Sequence, residues 1–297
     1  IYSFQIASNG ALTQVSQVNA QQYNGGAYGG PAYLFLDHTG ATLYDEDIDG
    51  NIGANNDYQF FDINNSSGVL TYLGATAAAS EEFWTPLSFI GNNQYAYGSD
   101  CYHFGPQIYG FQRSSSGALT ELNDNPPLPP AKTGDFYCPH LAAADPTNNV
   151  AIPVQSLNGS SWAPTGPPQL AVYTADGSGN LTTNSTYANM AKTAVQNVND
   201  VSMSPSGQLL AVGGTAGLQV FHFNGGNQIT KFTGLLMKEN IGLDDQMFWD
   251  NANHLYVVST AANKLYVFTI TPTSARRAPG SPYTITSPVN IIVLPKT

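Results

Sequence analysis

The sequence predicts an all-β fold, a β-propeller built from four-stranded antiparallel blades. A hairpin-like segment that begins the chain as IYSFQIASNGALTQV returns in six copies, which start at residues 1, 58, 108, 170, 218 and 265. Neighbouring copies are therefore 47 to 62 residues apart, close to the length of a propeller blade. Only 10% of the 297 residues are charged and 29 are Gly, which is typical of turn-rich β proteins.

Each copy has the pattern of a β-hairpin. An alternating apolar run is followed by a turn of Gly, Asn or Ser and by a second short apolar run. The fourth position of every copy is aromatic, which predicts one buried face in all six hairpins. These aromatic residues are Phe4, Phe61, Phe111, Tyr173, Phe221 and Phe268.

Two further strands are predicted between successive hairpins, which gives four strands per blade. The first strands are predicted at 31–36, 86–90, 139–144, 199–203, 245–249 and 289–294. The second strands are predicted at 42–44, 94–97, 150–154, 209–212 and 255–259. The strand at 289–294 and the hairpin at 1–15 lack partners of their own, so we expect them to form one composite blade. The count predicts six blades in a single domain over residues 1–297, or seven if a whole blade precedes Ile1.

Composition and charge exclude several classes of partner. The net charge is −11 and only 9 residues are Lys or Arg, which argues against nucleic acid, because phosphate binding requires basic clusters. No apolar run is long enough for a transmembrane helix. The chain begins at Ile1, inside a predicted strand and without Met, so we expect that an export signal has been removed. Low charge also favours a secreted, periplasmic or cell-surface protein.

Four motifs resemble those of the lactonase-like β-propeller family, which includes 6-phosphogluconolactonases and carboxymuconate cyclases. They are IYSFQIASNGALT, IYGFQRSSSGALT, VNDVSMSPSGQLLAV and HLYVVSTAANKLYVFTI. The resemblance covers nearly the whole chain. It implies a propeller that is typically seven-bladed and hydrolysis or isomerisation of lactones.

Polar residues fall near the start of the predicted first strands, where the mouth of a propeller channel is expected. Aligning these strands places Tyr33, Asn199, Asp200, Asp245, Gln246 and Asn290 there, with His140 beside them. His140 next to Asp200 is a candidate general base that activates water on a lactone, and Asp245 is a third candidate catalytic residue. The alternative is that these residues only hydrate a narrow channel. The absence of Lys and Arg from these positions argues against a phosphorylated substrate and favours a neutral sugar, a small cation or a metal.

An acidic segment predicts a calcium site. Asp45, Asp47 and Asp49 followed by Gly50 match the first half of a calcium-binding loop, although Asn56 stands where the loop normally has Glu. The predicted ligands are Asp45, Asp47, Asp49, the backbone carbonyl of Asn51, and Asp57. The alternative is a solvated acidic loop.

The two cysteines stand in similar tripeptides, Cys101-Tyr102-His103 and Cys138-Pro139-His140. A zinc site with the two histidines is one interpretation. A disulfide between Cys101 and Cys138, which would join the second and third blades, is the favoured one for an exported protein.

Two functions follow from these features. The first is an exported binding protein for a glycan, a protein or a small molecule, for which Trp84 is a candidate stacking residue. The alternative is a lactonase-like hydrolase or isomerase that acts on a neutral lactone at the channel mouth. No complete catalytic motif decides between them.

Overall fold

The computed structural model describes residues 1–6, 12–19, 31–47, 57–77, 85–101, 105–122, 126–243, 245–286 and 288. Within these residues all regular structure is β-strand, so the prediction of an all-β protein is confirmed. None of the described residues forms a helix that is long and apolar enough to cross a membrane. The chain divides into two compact units, Ile1–Asn125 and Pro126–Thr297. The single domain stays a prediction.

The first unit contains a hairpin and two blades. Its strands are β1 (Tyr2–Ile6), β2 (Leu12–Gln17), β3 (Pro31–Leu36), β4 (Thr42–Asp47), β5 (Asp57–Ile63), β6 (Leu70–Ala77), β7 (Ser88–Phe89), β8 (Tyr95–Asp100), β9 (Gln107–Arg113) and β10 (Leu119–Glu121). Strands β3 to β6 pair in sequence order to form blade one, and β7 to β10 form blade two in the same way. Strands β1 and β2 form a sheet of two strands.

The second unit contains three blades. Its strands are β11 (Asp135–Pro139), β12 (Ala143–Ala144), β13 (Asn149–Asn158), β14 (Gln169–Ala175), β15 (Leu181–Thr182), β16 (Ala191–Lys192), β17 (Val198–Met203), β18 (Leu209–Gly214), β19 (Gly217–His222), β20 (Thr230–Met237), β21 (Met247–Trp249), β22 (His254–Ser259), β23 (Lys264–Thr271), β24 (Ser274–Arg277) and β25 (Tyr283–Thr284). Blade three consists of β11 to β16, blade four of β17 to β20, and blade five of β21 to β25. Every pairing is antiparallel.

The described residues thus form five blades of at least four strands, and the prediction of six or seven blades is wrong for them. Copies two to six of the repeat each supply the outer hairpin of one blade. Among the described residues the first copy forms a two-stranded sheet. The strand predicted to complete it, at 289–294, lies outside the described residues. Four strands per blade is correct for blades one, two and four, whereas blades three and five carry additional short strands.

The repeated aromatic position shows how the blades are held together. Phe61, Phe111, Tyr173 and Phe221 are fully buried and Phe268 is nearly so, as predicted. Phe4 is 50% exposed, so the prediction is wrong for the first copy. A side chain on one face of a sheet is buried only when a neighbouring sheet packs against that face. A two-stranded hairpin has only a small area for such packing.

The core lies between successive blades of each unit. In the first unit Tyr44 of blade one packs against Phe89 of blade two, with ring centroids 5.3 Å apart. In the second unit Trp249 and Phe268 of blade five join a cluster with Leu218 and Val220 of blade four. The Trp249 indole also donates a hydrogen bond to the Ser202 carbonyl (3.1 Å), which links β21 to β17. Each blade therefore holds its neighbour in place mainly by buried apolar area.

Candidate functional site

The first strands of blades three, four and five lie side by side in the second unit. Strand β12 contacts β17, and β17 contacts β21. The starts of β17 and β21 carry four of the residues that the sequence predicts as a site, namely Asn199, Asp200, Asp245 and Gln246. A hydrogen bond of 2.7 Å from the Met247 backbone N–H to Asp200 Oδ2 joins these two strand ends directly.

Asp200 has an environment that distinguishes it from an ordinary surface aspartate. The pairing of β17 with β18 shifts register between Val198 and Asp200, so a bulge precedes the carboxyl group. Burial raises the pKa of Asp200 to about 7, although hydrogen bonds from the backbone N–H groups of Met247 and Val201 oppose that rise. A carboxyl group with a pKa near 7 can both accept and return a proton at neutral pH.

Asn199 directly precedes Asp200 in β17, and Gln246 directly precedes Met247 at the start of β21; the two amides differ in their hydrogen bonds. Asn199 Nδ2 donates to the Ile241 carbonyl (2.7 Å), so this amide fixes the loop before blade five. The side chain of Gln246 is half-buried and makes no hydrogen bond to any residue that the structure describes. Gln246 directly precedes Met247, whose N–H binds the Asp200 carboxylate, so the two residues are neighbours along the backbone of this strand start.

Asp245 is buried, and both of its carboxylate oxygens accept hydrogen bonds from the protein. Its Oδ2 accepts a hydrogen bond from the Gly242 N–H (2.7 Å), and its Oδ1 accepts from the N–H (2.9 Å) and Oγ1 (2.5 Å) of Thr260. Thr260 Oγ1 also lies 2.5 Å from the Pro288 carbonyl. These contacts tie the start of β21 to the end of β22. The catalytic role predicted for Asp245 stays a prediction, and the contacts suit a structural role.

His140 lies at a break in the first strand of blade three. The sequence predicts one strand over 139–144, but β11 ends at Pro139 and β12 begins at Ala143, so that prediction is wrong. The interruption includes Leu141, whose φ of +65° is incompatible with a regular strand. The hydrogen bonds of the Asp200 carboxylate come from Met247 and Val201, and none comes from His140. The predicted His140–Asp200 pair is therefore not formed in this structure.

Ligand binding by Tyr33, Trp84 and Asn290 stays a prediction. Tyr33 lies in β3 of the first unit and is half-buried. Trp84 and Asn290 lie outside the described residues.

The acidic segment is organised differently from the predicted loop. Strand β4 extends to Asp47, which pairs with Asp57 at the start of β5, so Asp45, Asp47 and Asp57 belong to strands. Asp49 and Asn51 lie outside the described residues. Among the residues that are described, no three His, Cys, Asp or Glu side chains are grouped closely enough to hold a metal ion. Calcium binding stays a prediction.

Glu46 is an unusual residue that the sequence argument missed. It is completely buried, and neither of its carboxyl oxygens has a hydrogen-bond partner among the described residues. Burial raises its pKa well above the ordinary value, and the nearby charges of Asp45 and Asp100 raise it further. Burial raises the pKa of Tyr58 and of Tyr109, and the nearby Glu46 raises both further. Ending the predicted strand at residue 44 placed Glu46 in a loop and hid its burial.

The predicted disulfide is confirmed. Both cysteines are disulfide-bonded, and since the chain contains two, the bond joins Cys101 to Cys138. Sulfur atoms bonded to each other cannot act as thiolate ligands, so the zinc interpretation is excluded for this state of the protein.

Comparisons with known proteins identify the fold. No model of a known protein family matches the sequence. No curated protein matches it either. Among solved structures, the periplasmic gluconolactonase of Pseudomonas aeruginosa is similar with a TM-score of 0.59 and 15% identity, over 97% of this chain and 78% of that one.

Two further solved structures are similar to this chain in fold. A functionally unknown protein from Desulfotomaculum acetoxidans has a TM-score of 0.54 and 10% identity, over 89% of this chain and 72% of that one. A protein from Lactobacillus plantarum has a TM-score of 0.50 and 17% identity, over 97% and 93%. At these identities the likeness concerns the fold alone. The predicted resemblance to lactonase-like β-propellers is confirmed at that level.

Proposed function

We propose that this protein is an exported lactone hydrolase that acts on a neutral lactone at the starts of β17 and β21. The observation that carries the proposal is Asp200, whose pKa is raised to about 7 and whose carboxylate accepts a hydrogen bond from the Met247 N–H at the start of β21. Gln246 directly precedes Met247, and its side-chain amide makes no hydrogen bond to any described residue. A fold shared with a periplasmic gluconolactonase supports the same reaction class. The disulfide supports export, because disulfides persist in oxidising compartments.

The chemistry follows from the two side chains. The Asp200 carboxylate removes a proton from water while the water oxygen attacks the lactone carbonyl carbon. The Gln246 amide donates a hydrogen bond to the carbonyl oxygen as negative charge develops on it. The tetrahedral intermediate then breaks its bond to the ring oxygen, which takes the proton back from Asp200. One lactone and one water give one hydroxy acid, and the enzyme returns to its starting state.

A neutral substrate fits the charges around this pair. The predicted site residues at these two strand starts, Asn199, Asp200, Asp245 and Gln246, include no cationic residue. A phosphate group requires cationic or converging N–H partners, and it would be repelled by a chain with a net charge of −11. We therefore expect gluconolactone or an aryl lactone, rather than a 6-phosphogluconolactone, to be hydrolysed.

The test is a hydrolysis assay with glucono-δ-lactone, dihydrocoumarin and 6-phosphoglucono-δ-lactone. We expect turnover of a neutral lactone, a fall of about 10²–10⁴-fold in kcat/KM for Asp200→Asn, and a smaller fall for Gln246→Ala. Asp62→Asn is the matched control, because Asp62 is exposed in β5 and far along the chain from the site.

Two outcomes would contradict the proposal. One is the absence of turnover with every neutral lactone, which would favour a non-catalytic binding protein. The other is turnover that survives unchanged in Asp200→Asn, which would place the chemistry elsewhere.

A further inference from the structure

The second unit contains a cavity between blades three and four that the proposed reaction does not use. Its volume is about 510 Å³, within the range of roughly 300–1,000 Å³ that is usual for small-molecule sites. One wall is formed by Gln155 and by the loop between β13 and β14, and the other by residues 193–197 before β17. Neither Asp200 nor Gln246 lines it.

The loop wall is held rigidly. The Thr165 N–H donates to the Ser156 carbonyl and the Asn158 N–H donates to the Ala163 carbonyl, both at 2.9 Å. Gln155 Nε2 donates to the Gly166 carbonyl at 2.7 Å. A loop that is closed on itself in this way loses little conformational entropy when a ligand binds.

The opposite wall is equally fixed at its backbone. The Thr193 N–H donates to the Pro168 carbonyl at 3.0 Å, which joins the two walls at one end. The Ala194 N–H donates to the buried Gln219 Oε1 at 2.8 Å. The Gln196 carbonyl accepts from both the N–H and the Oγ1 of Thr215, at 2.8 and 2.9 Å. The cavity is therefore formed before any ligand arrives.

The side chains that line the cavity are uncharged. Pro164, Pro167 and Pro168 provide apolar ring surfaces on the loop wall. Gln196 and Asn197 on the other wall are exposed, and their side-chain amides make no hydrogen bond to any described residue. Asn197 adopts a φ of +44°, a conformation that Asn tolerates better than most residues. Two free amides and three proline residues therefore line the same cavity.

We infer that this cavity binds a neutral saccharide. A free amide both donates and accepts hydrogen bonds, which suits the paired hydroxyl groups of a sugar ring. The apolar proline surface suits the C–H groups on the face of such a ring. An ionic ligand would find no opposite charge in this lining, and an anion would also meet the net negative charge of the chain. The inference is independent of the proposed lactone hydrolysis.

The experiment measures binding of maltotriose, cellotriose and xylotriose by saturation-transfer NMR and calorimetry. We expect at least one of them to bind, and the double variant Gln196→Ala/Asn197→Gly to weaken that binding at least tenfold. Glycine at 197 keeps the positive φ while it removes the amide. Gln208→Ala is the matched control, because Gln208 is also exposed but precedes β18 at the other end of blade four.

Equal melting temperatures of the variants would show that they are folded. Three results would overturn the inference: no binding of any of the three sugars, binding that the double variant does not weaken, or binding that Gln208→Ala weakens as much. A trigalacturonate and a proline-rich peptide are included as charged and peptidic probes. If only one of these binds, the cavity is not a neutral saccharide site.

Discussion

Asp200 in blade four and Glu46 in blade one are both carboxyl groups whose pKa is raised by burial. Their surroundings differ. Asp200 accepts hydrogen bonds from two backbone N–H groups, which partly stabilise its ionised form. Glu46 has no hydrogen-bond partner within the described part of the chain, and the charges near it are the carboxylates of Asp45 and Asp100.

The difference teaches that burial alone does not make a carboxyl group useful for proton transfer. The N–H donors keep the pKa of Asp200 near neutrality, where the group can take up and release a proton. Glu46 lacks such donors among the described residues, so burial, together with the like charges of Asp45 and Asp100, raises its pKa and favours its neutral form. A carboxyl group whose pKa is higher in the folded than in the unfolded state makes folding depend on pH.

The largest effect that would sharpen this comparison is the pH dependence of the reaction. Asp200 must be ionised to act as a base, and its pKa is raised to about 7. We expect kcat/KM for glucono-δ-lactone to fall about tenfold for each pH unit below that value and to level off above it. The measurement is the initial rate between about pH 5 and 9, corrected for spontaneous hydrolysis and compared with Glu46→Gln. If kcat/KM does not change with pH, or if Glu46→Gln alters its pH dependence, the proposed difference between Asp200 and Glu46 in proton transfer is wrong.

The stability of Glu46→Gln gives the next largest effect. The folded pKa of Glu46 lies well above its ordinary value of 4.5, so above pH 4.5 the folded state binds more protons than the unfolded state. Stability of the natural protein therefore falls as pH rises from 4.5 to the folded pKa, by up to about 1.4 kcal/mol per pH unit. A glutamine side chain at this position does not titrate, so we expect Glu46→Gln to be the more stable protein at neutral pH.

Urea unfolding of the two proteins at about pH 4 and about pH 7.5 would measure this difference. The advantage of the variant should vanish at the lower pH, where Glu46 is neutral in both states. Asp62→Asn, a carboxyl-to-amide change at an exposed position, is the matched control variant. A variant that is less stable at neutral pH would indicate that Glu46 is ionised and that a cation balances its charge.

The smallest expected effect concerns calcium at the acidic end of blade one. If Asp45, Asp47, Asp49, Asn51 and Asp57 hold calcium with a Kd of roughly 10⁻⁴–10⁻³ M, calcium at ten times Kd should stabilise the folded state by about 1.4 kcal/mol. The measurement is the melting temperature of chelator-treated protein as calcium is added, with magnesium as the control ion. Asp47→Asn should reduce the shift. An unchanged melting curve, or an equal shift in the variant, would show that these residues form an acidic strand end that does not bind calcium.

The sequence by itself located the outer hairpins of the blades, although it did not give their number. The alternating apolar runs and the aromatic fourth position were enough to locate the hairpins of all five blades, because strand periodicity is a local property of the chain. The disulfide could be predicted because the chain has two cysteines and the composition of an exported protein.

Only the tertiary structure decided which of the predicted polar residues are brought together. The sequence placed Asp200 and Gln246 at strand starts, but only the packing of β17 against β21 brings the Met247 N–H to the Asp200 carboxylate. The sequence paired Asp200 with His140, whereas the break at Leu141 ends the strand that would have carried the histidine. Phe4 carries the repeat pattern and is nevertheless exposed, since burial depends on a neighbouring sheet. Local patterns specify strands, whereas burial, pKa and side-chain pairing arise from contacts between residues that are distant in the sequence.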